Sequence, residues 1–78
     1  MAKTHIEIRQ DDARRALSET AVKVRRALAL ASDPDDVQRL MAGALAAKLL
    51  ERAVAQMMEC LDAGLSVEEV KAVYDGGK

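Results

Sequence analysis

The segment 34–63 is apolar around most of the circumference of the helix it predicts, and this constrains the fold more than any other feature. Alternating spacings of three and four residues define a first seam of the coiled-coil type: Leu40, Gly43, Ala47, Leu50, Val54, Met57 and Leu61. A second seam runs beside it: Ala42, Ala46, Leu49, Ala53, Gln56 and Cys60. One neighbouring helix covers one seam, so this helix needs cover from more than one direction.

Self-association is the simplest way to provide that cover. A chain of 78 residues is small, and domains of this size usually add disulfides, a metal or partner subunits to their core. A single cysteine, Cys60, cannot form an internal disulfide, and with the single histidine, His5, it has no zinc-ligand spacing. We therefore expect a homo-oligomer, most simply a homodimeric four-helix bundle with the first seam as its interface. The alternative is that a third helix folds back over this seam.

The fold class predicted is all-α, with two long helices first. Helical periodicity over 11–31 predicts helix 1. Asp33 and Pro34 then predict the start of helix 2 over 34–63, because aspartate caps helices and proline suits the first helical position. So short a connection indicates an antiparallel helical hairpin, although a sharp bend would use the same residues.

The C-terminal part of the chain predicts a short third helix. Gly64 follows helix 2 and is suited to a left-handed helix ending. Ser66 and Glu69 have the spacing of a capping box, which predicts helix 3 over 66–74. Residues 75–78 are expected to form a tail.

Residues 1–10 are expected to form an N-terminal arm of this single domain spanning 1–78. Ile6 and Ile8 alternate with polar and charged residues over Thr4 to Arg9, which is typical of a short strand. An unstructured arm or an irregular start of helix 1 is the alternative to that strand.

Helix 1 carries the clearest concentration of like charge in a chain whose net charge is −1. Residues eleven apart nearly superimpose on a helix, so Arg14 lies over Arg25 and Arg15 over Arg26. These arginines form a ridge away from the stripe that contains Leu17, and they are the candidate residues for binding an anionic partner through forked hydrogen bonds. A solvated helix face is the simpler interpretation.

No catalytic or cofactor site is expected. Cys60 lies on an apolar seam, where cysteine usually serves as a small buried hydrophobe. His5 has no patterned partner, and the glycines do not form a phosphate-binding loop. We therefore expect a protein that is not an enzyme and that uses no metal or cofactor.

Two short patterns resemble DNA-binding regulators. Residues 61–70, with a helix stop at Gly64, resemble the turn and second helix of helix-turn-helix and MerR-type regulators. A strand followed by two helices resembles ribbon-helix-helix regulators, which implies that His5, Glu7 and Arg9 would face DNA. These resemblances supply the alternative function, a small DNA-binding regulator that uses the basic face of helix 1 or the arm.

The first expectation is a non-enzymatic helical module that acts through self-association and protein–protein contacts. Charges within residues 1–10, where a signal peptide would be apolar, together with the free Cys60 favour the cytoplasm. No apolar run has the length of a membrane span, so no membrane association is expected.

Overall fold

The computed structural model describes residues 4–76 and contains three α-helices in that range. They are α1 (His5–Leu30), α2 (Asp36–Asp62) and α3 (Val67–Tyr74). The all-α class is therefore confirmed, and no strand occurs in the described range.

The prediction of a short strand near the N-terminus is wrong, because α1 begins at His5, six residues earlier than expected. Thr4 is the N-cap, and its Oγ1 accepts a hydrogen bond of 3.2 Å from the backbone N–H of Glu7. A strand needs a neighbouring strand to bond its backbone, whereas a helix satisfies these groups within the segment. Residues 5–10 of the expected arm thus extend α1, and residues 1–3 lie outside the described range.

The start of α2 also differs from the expectation. Asp35 is its N-cap instead of Asp33, and the carboxylate of Asp35 accepts a hydrogen bond of 2.9 Å from the backbone N–H of Gln38. The carboxylate of Asp33 accepts one of 2.8 Å from the N–H of Asp35. Asp33 therefore bonds an N–H group of the connection and Asp35 one in the first turn of α2, and Pro34 lies before the helix.

Gly64 ends α2 in the left-handed conformation that the sequence predicts, with φ of +100°. Its N–H donates to the carbonyl of Leu61, and the N–H of Leu65 donates to the carbonyl of Cys60, both at 3.0 Å. This pair of bonds is the Schellman motif, in which a hydrophobic contact accompanies the reversal of the chain. Leu65 and Cys60 share one buried cluster and supply that contact.

The core lies between α1 and the second seam of α2 and consists of two clusters. One comprises Leu17, Ala53, Cys60, Leu65 and Val70, and the other comprises Val24, Ala27, Ala46 and Leu49. From α3 only Val70 is buried. The short third helix therefore adds to the first cluster alone and leaves the second cluster to the two long helices.

The molecule is elongated for its mass. Its dimensions are 52 × 21 × 20 Å, and its radius of gyration is 14.7 Å, compared with about 11.5 Å for a compact domain of this length. The accessible surface is 5730 Å², whereas a compact monomer of this mass exposes about 4,600 Å². A single copy of the chain thus exposes about 1,100 Å² more surface than a compact monomer would.

We predict that Gly64→Ala lowers the free energy of unfolding by about 1–2 kcal/mol, because an L side chain is strained at this φ. Gly64→Asn should lose less, because asparagine tolerates the left-handed conformation better. Urea denaturation followed by circular dichroism gives the ranking. Both variants introduce the same Cβ, 3.2 Å from Gln10 Nε2, so equal losses would show that the contact and not the backbone is responsible.

Candidate functional site

The first seam of α2 lies mostly on the surface. The exposed fractions of its largest side chains are 71% for Leu40, 58% for Val54, 41% for Leu50 and 38% for Leu61. Met57 alone is partly buried, against the cluster that α3 joins. Because α1 packs on the second seam and α3 is only eight residues long, the described residues 4–76 leave the first seam largely without cover.

Gly43 and Ala47 make the middle of the first seam shallow. A Cβ built on Gly43 would meet no atom within 4 Å, so no contact in the described chain requires glycine there. Glycine in a helix interior costs about 0.5–1 kcal/mol relative to alanine. The exposed Ala47 lies one turn further along the same stripe. The backbone of α2 is therefore accessible to close approach from outside the chain.

The four arginines of the basic ridge on α1 do not share one environment. Two of them, Arg14 and Arg25, contact α3. Arg14 forms ion pairs of 3.1 Å with Asp11 and with Glu69 of α3. Arg25 donates to the backbone carbonyl of Tyr74, and its guanidinium carbon lies 5.9 Å from the centre of the Tyr74 ring. These two arginines contact both ends of α3 and position it on α1.

Arg15 and Arg26 are the exposed remainder of the ridge. Neither forms an ion pair with another residue in the described part of the chain. They are separated by eleven positions, or about 16 Å along the helix axis. Arg15 and Arg26 are therefore too far apart to bond one carboxylate or phosphate group together, and the row of four arginines predicted from the sequence does not form a single anion site.

The first turn of α3 carries a carboxylate with an altered pKa. The Ser66 backbone N–H donates to Glu69, as does Arg14, and these bonds hold the pKa of Glu69 below its ordinary value. The capping box is complete, with 3.1 Å from the Glu69 N–H to Ser66 Oγ and 3.3 Å from the Ser66 N–H to Glu69 Oε1. The ionised carboxylate thus both caps α3 and ties it to α1.

Cys60 is fully buried in the core, as its position on the second seam predicts. Burial raises the pKa of its thiol, and the nearby positive charge of Arg14 only partly opposes this effect. The thiolate is the nucleophilic form of cysteine. A reactive role is therefore disfavoured for this side chain, whereas its contacts with Leu17 and Leu65 show a packing role.

The side chains of two glutamines have surroundings that the sequence did not indicate. Gln10 Nε2 donates a hydrogen bond of 2.9 Å to the carbonyl of Ala63, and so joins α1 to the end of α2. Gln56 Oε1 is buried and accepts no hydrogen bond from the described residues. Gln56 also lines an open groove of about 410 Å³ with His5, Asp12 and other residues of α1. Neither contact has a local sequence pattern, because each depends on how the helices pack.

Among residues 4–76, no group of three or more histidine, cysteine, aspartate or glutamate side chains is arranged to hold a metal ion. None of the helices in that range combines the length and apolar character needed to cross a membrane. No family model, curated protein or solved structure matches this chain.

We predict that Glu69→Gln weakens the acid dependence of stability. A lowered pKa adds stability above the ordinary glutamate pKa, and this contribution is lost as the pH falls below the ordinary value and through the lowered one. The variant should be less stable at neutral pH and should lose less stability on acidification. Urea unfolding from neutral to acidic pH tests this.

Glu68→Gln is the matched control, because Glu68 lies in the same turn and bonds neither Ser66 nor Arg14. An identical acid dependence in both variants would contradict the role assigned to Glu69.

Proposed function

We propose that this protein is a non-enzymatic helical interaction module that self-associates through the first seam of α2. The observation that carries this proposal is the largely exposed apolar stripe from Leu40 to Leu61, which is about 32 Å long at the rise of an α-helix. Exposed apolar patches of this extent usually mark interaction sites, because their burial in a partner removes them from water.

The size of the uncovered surface supports a second copy as the partner. A single chain exposes about 1,100 Å² more than a compact monomer of its mass, and a standard interface removes about 800 Å² from each partner. A homodimer that covers the first seam would therefore bring the exposed surface into the range of a compact protein. A twofold arrangement needs only one self-complementary patch, and the same stripe on both chains provides it.

The arrangement of the helices supports a four-helix bundle as the form of this dimer. Leu17 of α1 lies with Ala53 and Cys60, whereas Val24 lies with Ala46 and Leu49. These contacts fit an α1–α2 hairpin with opposed helix directions. Two such hairpins, paired through α2, would enclose the first seam between four long helices. Gly43 and Ala47 would allow the two copies of α2 to approach closely.

The DNA-binding alternative has weaker support. The strand that a ribbon-helix-helix arrangement requires does not occur among residues 4–76, and Arg14 and Arg25 contact α3. Within the proposal, the buried free thiol of Cys60 suits a reducing compartment such as the cytoplasm.

We predict that Leu50→Asp and Val54→Asp each convert the dimer to a monomer of 8.4 kDa. In one copy both side chains are partly exposed, so the new carboxylate stays hydrated and the helices remain folded. In the dimer the same carboxylate would be buried without a partner, which is strongly unfavourable. Sedimentation velocity measures the mass, and circular dichroism checks that helicity is retained.

Ala55→Asp is the control, because Ala55 is exposed on α2 but lies outside the first seam. It should keep the mass of the unmodified protein. If Leu50→Asp and Val54→Asp retained that mass with normal helicity, the first seam would not be the interface. Loss of assembly in Ala55→Asp as well would indicate a general effect of charge on α2.

A further inference from the structure

A second apolar surface, separate from the first seam, lies in the groove between α1 and α2. One part of this groove encloses about 350 Å³ and has a floor of Ala27, Leu30, Leu45 and Leu49. An adjoining part of about 360 Å³ shares Leu30 and Leu45. The apolar floor is therefore continuous over about two turns of α2, from Met41 to Leu49, and about one turn of α1, from Ala27 to Leu30. No residue of α3 or of the first seam lines either part.

Three cations surround the first part of this groove. We call the whole groove, with its two adjoining parts, the basic groove. The three cations are Lys23 and Arg26 on α1 and Arg52 on α2. None of them forms an ion pair with a residue in the described range, and no acidic side chain lines the groove. The whole chain carries a net charge of −1. The surface around this apolar floor is instead positively charged, because it carries three cations and no acidic side chain. The basic groove is thus complementary to an apolar ligand with negative flanks.

The shape of the basic groove favours a helix over a small molecule. Leu30 and Leu45 are each 51% exposed, so the groove is shallow, whereas small-molecule sites usually bury about 70–90% of the ligand. From Arg52 to Gln38, at the far end of the adjoining part, the two parts together extend about 21 Å along α2, which is the length of about four helical turns. An amphipathic helix would place apolar side chains on this floor at spacings of three and four residues.

We propose that the basic groove binds an acidic amphipathic helix of a partner protein. Apolar side chains of that helix would contact Leu30, Leu45 and Leu49. Glutamate or aspartate side chains beside them would pair with Arg26 and Arg52, whose planar guanidinium groups bond carboxylates in a forked geometry. The groove shares no residue with the first seam, so each chain of a dimer would keep one such site.

The test uses a fluorescent synthetic peptide of about four helical turns, with leucines at helical spacing and glutamates flanking them. A second peptide carries lysine in place of each glutamate. Anisotropy titrations against the full chain should show binding of the glutamate peptide, with lower affinity at higher salt, and no binding of the lysine peptide. Arg26→Glu should weaken the binding about tenfold, because it removes one attraction and adds a repulsion beside the ligand.

Arg15→Glu is the matched control for charge. Arg15 is an exposed arginine on the same helix, it lies outside the basic groove, and its replacement changes the net charge equally. This variant should keep the affinity within about twofold, because its separation from Arg26 exceeds the screening length at physiological salt. Circular dichroism of both variants establishes that the helices are intact.

Several results would overturn this proposal. One is that the glutamate peptide does not bind. Another is that Arg15→Glu weakens the binding of this peptide as much as Arg26→Glu does. Binding of a short DNA duplex or of anionic lipid vesicles with the same dependence on Arg26, without binding of the peptide, would assign the groove to a different partner. A change of molar mass in Arg26→Glu would make the groove an interface between copies. This last result is distinct from a failure of the proposed first-seam interface, which the molar mass of Leu50→Asp tests.

Discussion

The packing of α1 on the second seam of α2 determines the rest of this structure. The α2 side of that contact is built largely from alanines, among them Ala42, Ala46 and Ala53, which are all buried. Small side chains let two helix backbones approach closely, but they fill little volume, so most of the larger residues of α2, with the exception of Leu49, remain outside the contact. Leu40, Leu50 and Val54 lie on the first seam for this reason, and α3 is too short to cover them.

Much of the local structure follows from short sequence patterns. Gly64 and the pair Ser66 and Glu69 predict the end of α2 and the start of α3, because a left-handed glycine and a capping box each depend on only a few neighbouring residues. The same rule applied to Thr4 and Glu7 would have placed the start of α1 correctly. The alternation of Ile6 and Ile8 suggested a strand, but no second strand is available to pair with it in the described range.

The contacts between helices are less predictable, since they depend on register and rotation. The periodicity of α2 shows two seams, yet it does not indicate which one faces α1. The spacing of eleven residues predicts that Arg14 and Arg25 share a face of α1, but only the position of α3 shows that these two arginines bind Glu69 and Tyr74. The basic groove has the same origin, because its cations come from two helices that are distant in sequence. Local patterns therefore define the helices, and packing defines the surfaces through which the protein is proposed to act.

The most direct test of this account is the light-scattering molar mass of the unmodified protein, measured over a range of concentrations. If a second copy covers the first seam, the measured molar mass should be twice the chain mass of 8.4 kDa, and the dimer should dissociate only on strong dilution. The dimer should also be a compact particle, because pairing removes the excess surface of the elongated single chain. A mass of one chain at every concentration would contradict the central claim, because the first seam would then remain exposed to water in the stable protein.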